Sequence, residues 1–245
     1  MSYARNKIIE NGEALQKYPW MSQKGQSIGQ HYGLVALGLF KSQEEIDSAP
    51  KHIGTVQIGD IRYKDMNEDG VIDEYDECPI GYSNIPRIQF GLTAGFSYKG
   101  FDFSMLWQGA AQFSVYFSNG AVWEFRDGGN AFEHHLGRFN PEDPSTWDKA
   151  TYPRLHDGNF PNNHRKSTYW LKKGDYLRLK NVEIGYSLPK HLFSKIGVSK
   201  LRFFVSGTNL LTFDHQNTFD PETENERAYN YPQMSQYTFG VNIQF

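Results

Sequence analysis

Gln236-Tyr237-Thr238-Phe239-Gly240-Val241-Asn242-Ile243-Gln244-Phe245 governs how the rest of the chain is read. Every odd position carries a large apolar side chain, and every even position a polar residue or glycine. Successive side chains of a β-strand point to opposite faces, so the segment has one greasy face and one wet face. A strand of a soluble sandwich is usually followed by more chain. Closing on such a strand, with an aromatic last, is the habit of outer-membrane barrels, in which the greasy face meets lipid and the wet face lines a lumen.

Working outward, the same pattern recurs. Phe90-Gly91-Leu92-Thr93-Ala94-Gly95-Phe96-Ser97-Tyr98 keeps its apolar groups on even positions, Lys99-Gly100 follows, and alternation resumes at Phe101 and runs to Trp107. Two such strands around a two-residue turn containing Gly predict a tight hairpin. Val182 to Leu188 alternates cleanly, whereas Leu177 and Leu179 sit in the opposite phase. Either a bulge near Lys180-Asn181 reconciles the two halves, or the upper half stands clear of the bilayer. A further strand, Leu201 to Ser206, presents its greasy face on odd positions.

The connections are lopsided. Lys99-Gly100 is minimal and 189–199 moderate, while 10–89, 112–170 and 214–235 are long and dense in Gly, Asn, Asp, Pro and Trp. Soluble domains rarely carry such long connections without structure of their own; outer-membrane barrels pair short periplasmic turns with long external loops. With Phe245 at the periplasmic end, 236–245 runs down, 201–212 up, 176–188 down, 101–111 up and 90–98 down. Residues Tyr3 to Ile9 then form the top of one more upward strand. Every long segment falls outside the cell in this scheme. The expected fold is therefore all-β: residues 1–245 form about six strands, the C-terminal portion of a large antiparallel transmembrane β-barrel with long extracellular loops. Six strands cannot close a barrel, since the smallest single-chain barrels have eight, and open sheet edges are prohibitive in hydrocarbon. The rest of the wall has to come from a longer polypeptide.

Composition agrees. The 245 residues are 38% hydrophobic and 16% aromatic, with a formal net charge of -3. A modest apolar fraction with many aromatics suits strands that are greasy on one side and girdled at both interfaces. No apolar run is long enough for a helical span, and a near-neutral charge argues against nucleic acid as a partner. The first residues, Met1-Ser2-Tyr3-Ala4-Arg5-Asn6-Lys7, contain no apolar signal-peptide core. Either the protein is soluble, or the chain is the tail of something larger.

Asp65-Met66-Asn67-Glu68-Asp69-Gly70-Val71-Ile72-Asp73-Glu74-Tyr75-Asp76 is the most chemically pointed stretch. Oxygen side chains stand at positions 1, 3, 5 and 9, a glycine at 6, and a carboxylate at 12 of a cation loop. The expected ligands are Asp65, Asn67, Asp69, the main-chain carbonyl of Val71, Asp73 and Asp76. Such a hard, flexible oxygen shell suits Ca²⁺ better than Mg²⁺. The flanks are not the helix pair of an EF-hand, because Gly59-Asp60-Ile61-Arg62-Tyr63 reads as extended. The ion is expected to be structural, stapling a long external loop, where affinities of ~10⁻⁴–10⁻³ M suffice.

Several of these segments together resemble a known family. Gly59 to Asp65 leading into the cation loop, Tyr176-Leu177-Arg178-Leu179-Lys180-Asn181-Val182, Val205-Ser206-Gly207-Thr208-Asn209-Leu210-Leu211 and the ending Tyr237 to Phe245 look like the C-terminal region of SusC/RagA-type TonB-linked outer-membrane transporters. Tyr18-Pro19-Trp20 and Gly38-Leu39-Phe40 fit as well. The resemblance implies a barrel of roughly 22 strands with a plugged lumen, located in the outer membrane of a Gram-negative bacterium. It implies import of oligosaccharides, or of peptides, driven through the TonB complex. A SusD-like surface lipoprotein would be seated on the external loops, and the chain would not be an enzyme. The plug and the TonB-contacting segment would lie outside these residues.

Other candidates are weaker. Cys78 reads as a small buried hydrophobe. Tyr98, Phe101, Tyr237 and Phe245 are expected at the membrane interfaces. Phe113, Tyr116, Phe117, Trp123, Phe125 and Arg126 offer ring faces to a glycan, or else form a loop core or lid interface. Glu133-His134-His135 and His156-Asp157 lack companion ligands at zinc spacing and read as solvated loop residues. The competing reading of the whole chain is a secreted, calcium-stabilised β-sandwich that binds or cleaves carbohydrate.

Overall fold

A computed structural model describes residues 1–120, 122–192, 197–216, 219–223 and 230–245. In chain order its strands are β1 (Ser2–Tyr3), β2 (Gln30–Gly33), β3 (Ala36–Leu39), β4 (Ile61–Tyr63), β5 (Cys78–Ser83), β6 (Ile88–Tyr98), β7 (Phe101–Ala111), β8 (Ser114–Tyr116), β9 (Leu171–Lys173), β10 (Tyr176–Ser187), β11 (Lys200–Asp214) and β12 (Gln236–Gln244); one short helix, α1 (Gln43–Ser48), lies between β3 and β4. Six of the strands form one antiparallel sheet in the order β1-β6-β7-β10-β11-β12. Eleven residues, the length of β6, are what a tilted strand needs to cross a bilayer. Among the described residues no helix is long and apolar enough to do so.

The register explains why one face is greasy. Tyr98 lies opposite Phe101, which lies opposite Tyr186, then Phe203, then Val241. Phe96, Phe103, Ile184, Val205 and Phe239 form the next row, and Ala94, Met105, Val182, Gly207 and Tyr237 the row above. Directly paired residues share a face, so five strands contribute to a continuous apolar surface. That surface is uncovered: Phe96 is 63% exposed and Phe239 79%. A sandwich would pack a second sheet against it, and among the described residues none does.

The bulge falls where the sequence placed it. The register slips between Leu179 and Asn181 against both neighbours, leaving Lys180 as the extra residue of β10. Leu177 and Leu179 thereby share the face of Val182 and Ile184. In β11 the matching irregularity includes Asn209, in the left-handed region at φ +52°. The β6–β7 hairpin turns on Lys99 (φ +47°) and Gly100 (φ +88°), the double positive φ of a type I′ turn. This turn, the β10–β11 connection and Phe245 all lie at one end of the sheet, and the long segments at the other. Positions 193–196 of the moderate connection, and 217–218 and 224–229 of the third long loop, lie outside the described residues.

Two expectations need correction. The first upward strand is only Ser2–Tyr3, paired with Gln89 and Ile88; the described chain from Ala4 to Ile9 forms no strand, consistent with its weak alternation. The segments 10–89 and 112–170 are not bare connections. They carry the pairs β2–β5 and β3–β4 and the strand β8, which pairs with β9 just past the second segment, and they share a core. Leu34, Ile61, Tyr63 and Ile72 of the first pack with Tyr116, Phe117, Trp123, Tyr152 and Trp170 of the second. The result is a compact layer set on the upper end of the sheet.

Candidate functional site

The face opposite the greasy one carries the other phase of each strand. Gly91, Gln108, Arg178 and Thr212 form one row and Gln89, Ala110, Tyr176 and Asp214 the row above it. Lower down, Arg202 joins Asp102 and Glu183: its Nε donates to Asp102 Oδ1 at 3.0 Å and its Nη2 donates to Glu183 Oε1 at 2.6 Å and to Asp102 Oδ2. The guanidinium lies flat across Gly185, where a Cβ would come within 2.3 Å of it. Charges bonded in this way belong to a wet surface, not to lipid.

Where the upper end of this polar face meets the loop layer there is a cavity of about 850 Å³. Gln89, Gln108 and Tyr176 line it from the sheet, and β8, Lys166 and the 221–223 segment from the loops. Its lining is mixed, with Phe90, Leu106 and Phe113 among the polar groups. Glu222 is held away from free negative charge by Arg178 Nη1 at 3.1 Å and Lys180 Nζ at 2.8 Å, while Arg178 Nη2 reaches Asp220 at 3.0 Å. Arg178 is 3% exposed, so this buried cluster fastens the third loop to the sheet.

The loop layer above is organised by buried polar groups. Asp60, fully buried at the start of β4, accepts from Gln57 N–H (2.7 Å), Asn163 Nδ2 (3.0 Å) and His156 Nε2 (2.6 Å). Asn163 returns an acceptor to the Ile61 N–H at 2.9 Å, and Asn162 donates to the Ile61 carbonyl at 2.8 Å. These contacts tie the first long loop to the second. Within the second, Glu124 accepts from Tyr152 Oη (2.5 Å), His156 N–H (2.9 Å) and His164 Nε2 (3.1 Å). Phe160 N–H donates to His164 Nδ1 at 3.1 Å. Burial pushes the Glu124 carboxyl up, but the bonds from His164, Tyr152 and the His156 amide outweigh it and hold it below the usual carboxylate value. Burial lowers His52 and His135 and raises the Tyr63 and Tyr152 hydroxyls.

His135 and His156 therefore depart from the solvated reading. His135 is 2% exposed, accepts from Phe132 N–H and donates to the Val122 carbonyl at 3.0 Å; the His156 ring stacks on Phe160 at 3.6 Å. Glu133 and Asp157 do face solvent. Burial of His156 depends on Asp60, 96 residues away, and neighbouring residues gave no sign of it. Phe113, Tyr116, Phe117 and Trp123 are buried as loop core, and Arg126 covers the Trp123 ring at 5.0 Å. Cys78 is buried, and burial raises its thiol pKa. Tyr98, Phe101, Tyr237 and Phe245 are all exposed on the outward side, Tyr237 at the upper end of β12 and the others at the lower end of the sheet.

The acidic loop 65–76 closes upon itself. Asp65 accepts from Glu68 and Gly70 N–H at 2.7 and 2.8 Å, and Asn67 and Asp69 bond each other's ends. Asp73 caps the following turn through Tyr75 N–H. Asp76, fully buried, accepts from Met66 N–H at 2.7 Å and Asp73 N–H at 2.9 Å, joining the two ends. Ile72 of the same loop is buried. Among the described residues no three His, Cys, Asp or Glu side chains converge as a metal-ready group. The oxygens present are of the hard type a calcium ion takes. The polar lining of the cavity was visible only as the wet phase of the strands; Lys166 left no sequence signal at all.

No protein-family model matches the chain. Among curated proteins it is similar to TonB-dependent receptor P26 of Formosa agariphila, 31% identical over 234 residues, which covers 90% of this chain and 23% of the relative. TonB-dependent receptor P3 of the same organism is 26% identical over 248 residues, 96% of this chain and 24% of the relative. The chain thus spans about a quarter of the length of the curated relatives it matches. Among solved structures, the RagAB peptide importer matches in its 'closed-closed' state with TM-score 0.70 and 23% identity, and in its 'open-open' state with TM-score 0.68 and 22% identity. Each match covers 99% of this chain and 26% of the other.

Proposed function

We propose that the chain is part of a SusC/RagA-type TonB-linked outer-membrane transporter, as its similarity to TonB-dependent receptors and to the RagAB importer supports, and that its sheet is a stretch of barrel wall and its loops the outer vestibule of an import path. The relatives are receptors, and the chain is not an enzyme. One observation carries the reading: a sheet bare and apolar on one side, charged on the other, and roofed only at the end where the long loops lie. Only a wall between lipid and a wet lumen puts both faces of such a sheet in a suitable solvent.

In the assembled transporter, located in the outer membrane of a Gram-negative bacterium, the vestibule cavity is the place where this part touches an oligosaccharide or a peptide in transit. A SusD-like surface lipoprotein covers the loop layer, and the TonB complex supplies the drive through parts outside this chain. The test is growth on a defined oligosaccharide or peptide as sole carbon source. Deleting the transporter gene and deleting TonB should abolish it equally. Growth that survives both deletions on every substrate of either class would overturn the assignment.

For the acidic loop we propose structural calcium held by Asp65, Asn67, Asp69, the Val71 carbonyl and Asp73, with Asp76 closing the loop. The donor chemistry and the buried Ile72 anchor support it. Calorimetry on the transporter should register calcium uptake at millimolar ion, lost in Asp65→Ala; no uptake in the parent would remove the proposal.

A further inference from the structure

Among the described residues, the carboxylate and the lysine that line the vestibule cavity are held in different ways. Glu222, the one carboxylate in its lining among the described residues, is neutralised by Arg178 and Lys180 at 3.1 and 2.8 Å. Lys166, the one lysine in the lining, enters no salt bridge among the described residues. Its ammonium instead rests 5.2 Å from the centroid of the Tyr116 ring, which also lines the cavity. A ring face holds a cation in place and leaves its charge uncancelled. The backbone on either side of Lys166 is pinned: the Leu34 N–H donates to the Lys166 carbonyl at 2.9 Å, and the Ala36 N–H to Thr168 Oγ1 at 2.9 Å. The side chain therefore springs from a fixed base. Nearby, Gln89 and Gln108 carry amides able to give and accept hydrogen bonds, and Leu106 gives apolar contact.

We propose that this cavity selects substrates bearing an anionic group, a carboxylate or a sulfate, with Lys166 as the residue that reads the charge. The inference rests on the import reading above and names the substrate class of that same site. A pair formed inside a partly enclosed cavity is less screened than one on an open surface. Tyr116 keeps the ammonium from swinging out, so less side-chain freedom is lost when the anion arrives.

The experiment uses the whole transporter in its own membrane, with four labelled probes: an acidic uronate oligomer, its neutral methyl-ester counterpart, a glutamate-rich peptide and its glutamine counterpart. The parent should take up the acidic member of one pair about tenfold faster than its neutral partner, which corresponds to about 1.4 kcal/mol. Lys166→Glu should erase or invert that ratio, Lys166→Gln should reduce it, and Lys166→Arg should keep it, each read as the acidic-to-neutral ratio within one variant. Which pair shows the preference identifies the source of the anion. Equal uptake of acidic and neutral members by the parent, or a ratio indifferent to Lys166→Glu, would overturn the proposal and leave the import reading standing. A parent that takes up none of the probes and does not support growth on either substrate class would overturn both.

Discussion

The sheet and the loop layer are built from similar residues with opposite sides turned out. On the sheet, Phe96, Ile184 and Phe239 are more than half exposed while Arg202, Asp102 and Glu183 bond each other on the far face. In the loop layer, Phe40, Tyr63 and Phe139 are at most 1% exposed, and the charged Asp60 and Glu124 are buried with them. The difference is one of solvent. The loop layer obeys the water rule, and its buried carboxylates persist because each has several donors. The sheet obeys a lipid rule on one face and a water rule on the other, so its apolar side chains need no core to be satisfied.

The hardest blow to this contrast is to break the buried bonds of the loop layer. Asp60→Ala strips His156, Asn163 and the Gln57 amide of their common acceptor and should cost about 3–5 kcal/mol. Thermal unfolding of the purified transporter, with hydrogen exchange confined to 50–65 and 150–165, checks it; unchanged protection would mean that the network is dispensable. Next, Ile184→Arg on the greasy face should cost about 2–4 kcal/mol on insertion into lipid vesicles, while Ile243→Arg, nearer the lower rim, should cost about 0–1. Equal penalties at both depths, or none at either, would refute the lipid assignment. Tyr63→Phe, which removes the 2.8 Å bond to the Asn162 carbonyl, should cost about 1 kcal/mol and leave membrane insertion untouched.

The gentlest probe is pH. His52 and His135 have folded values below the ordinary 6.5, so the unfolded loops bind protons first. Their contribution is complete above 6.5 and declines as pH falls below it. Glu124, lowered from 4.5, adds a second decline on the acid side of that value. His135→Gln should flatten the first decline and Glu124→Gln the second. Stability that rises on acidification from 7 to 5 would contradict the burial of these histidines.

Taken alone, the sequence was enough for the sheet. Alternation is a local property: Tyr237 to Phe245 declare their faces without knowledge of any neighbour, and the phase slip between Leu179 and Val182 is visible in the sequence as a choice between a bulge and a strand half outside the bilayer. Hairpin chemistry at Lys99-Gly100 and the long–short rhythm of connections then fixed the direction of each strand. Ser2–Tyr3 escaped because two residues carry no period.

Tertiary structure decided everything that depends on contacts between distant segments. Nothing near His156 announces Asp60, 96 residues away, and nothing near Lys166 announces the cavity beside Gln89 and Gln108. The loops have no repeat to betray their inside, since each buried polar group is paid for by partners brought from another loop. Solvent preference is written residue by residue; hydrogen-bond partnership exists only once the chain has folded.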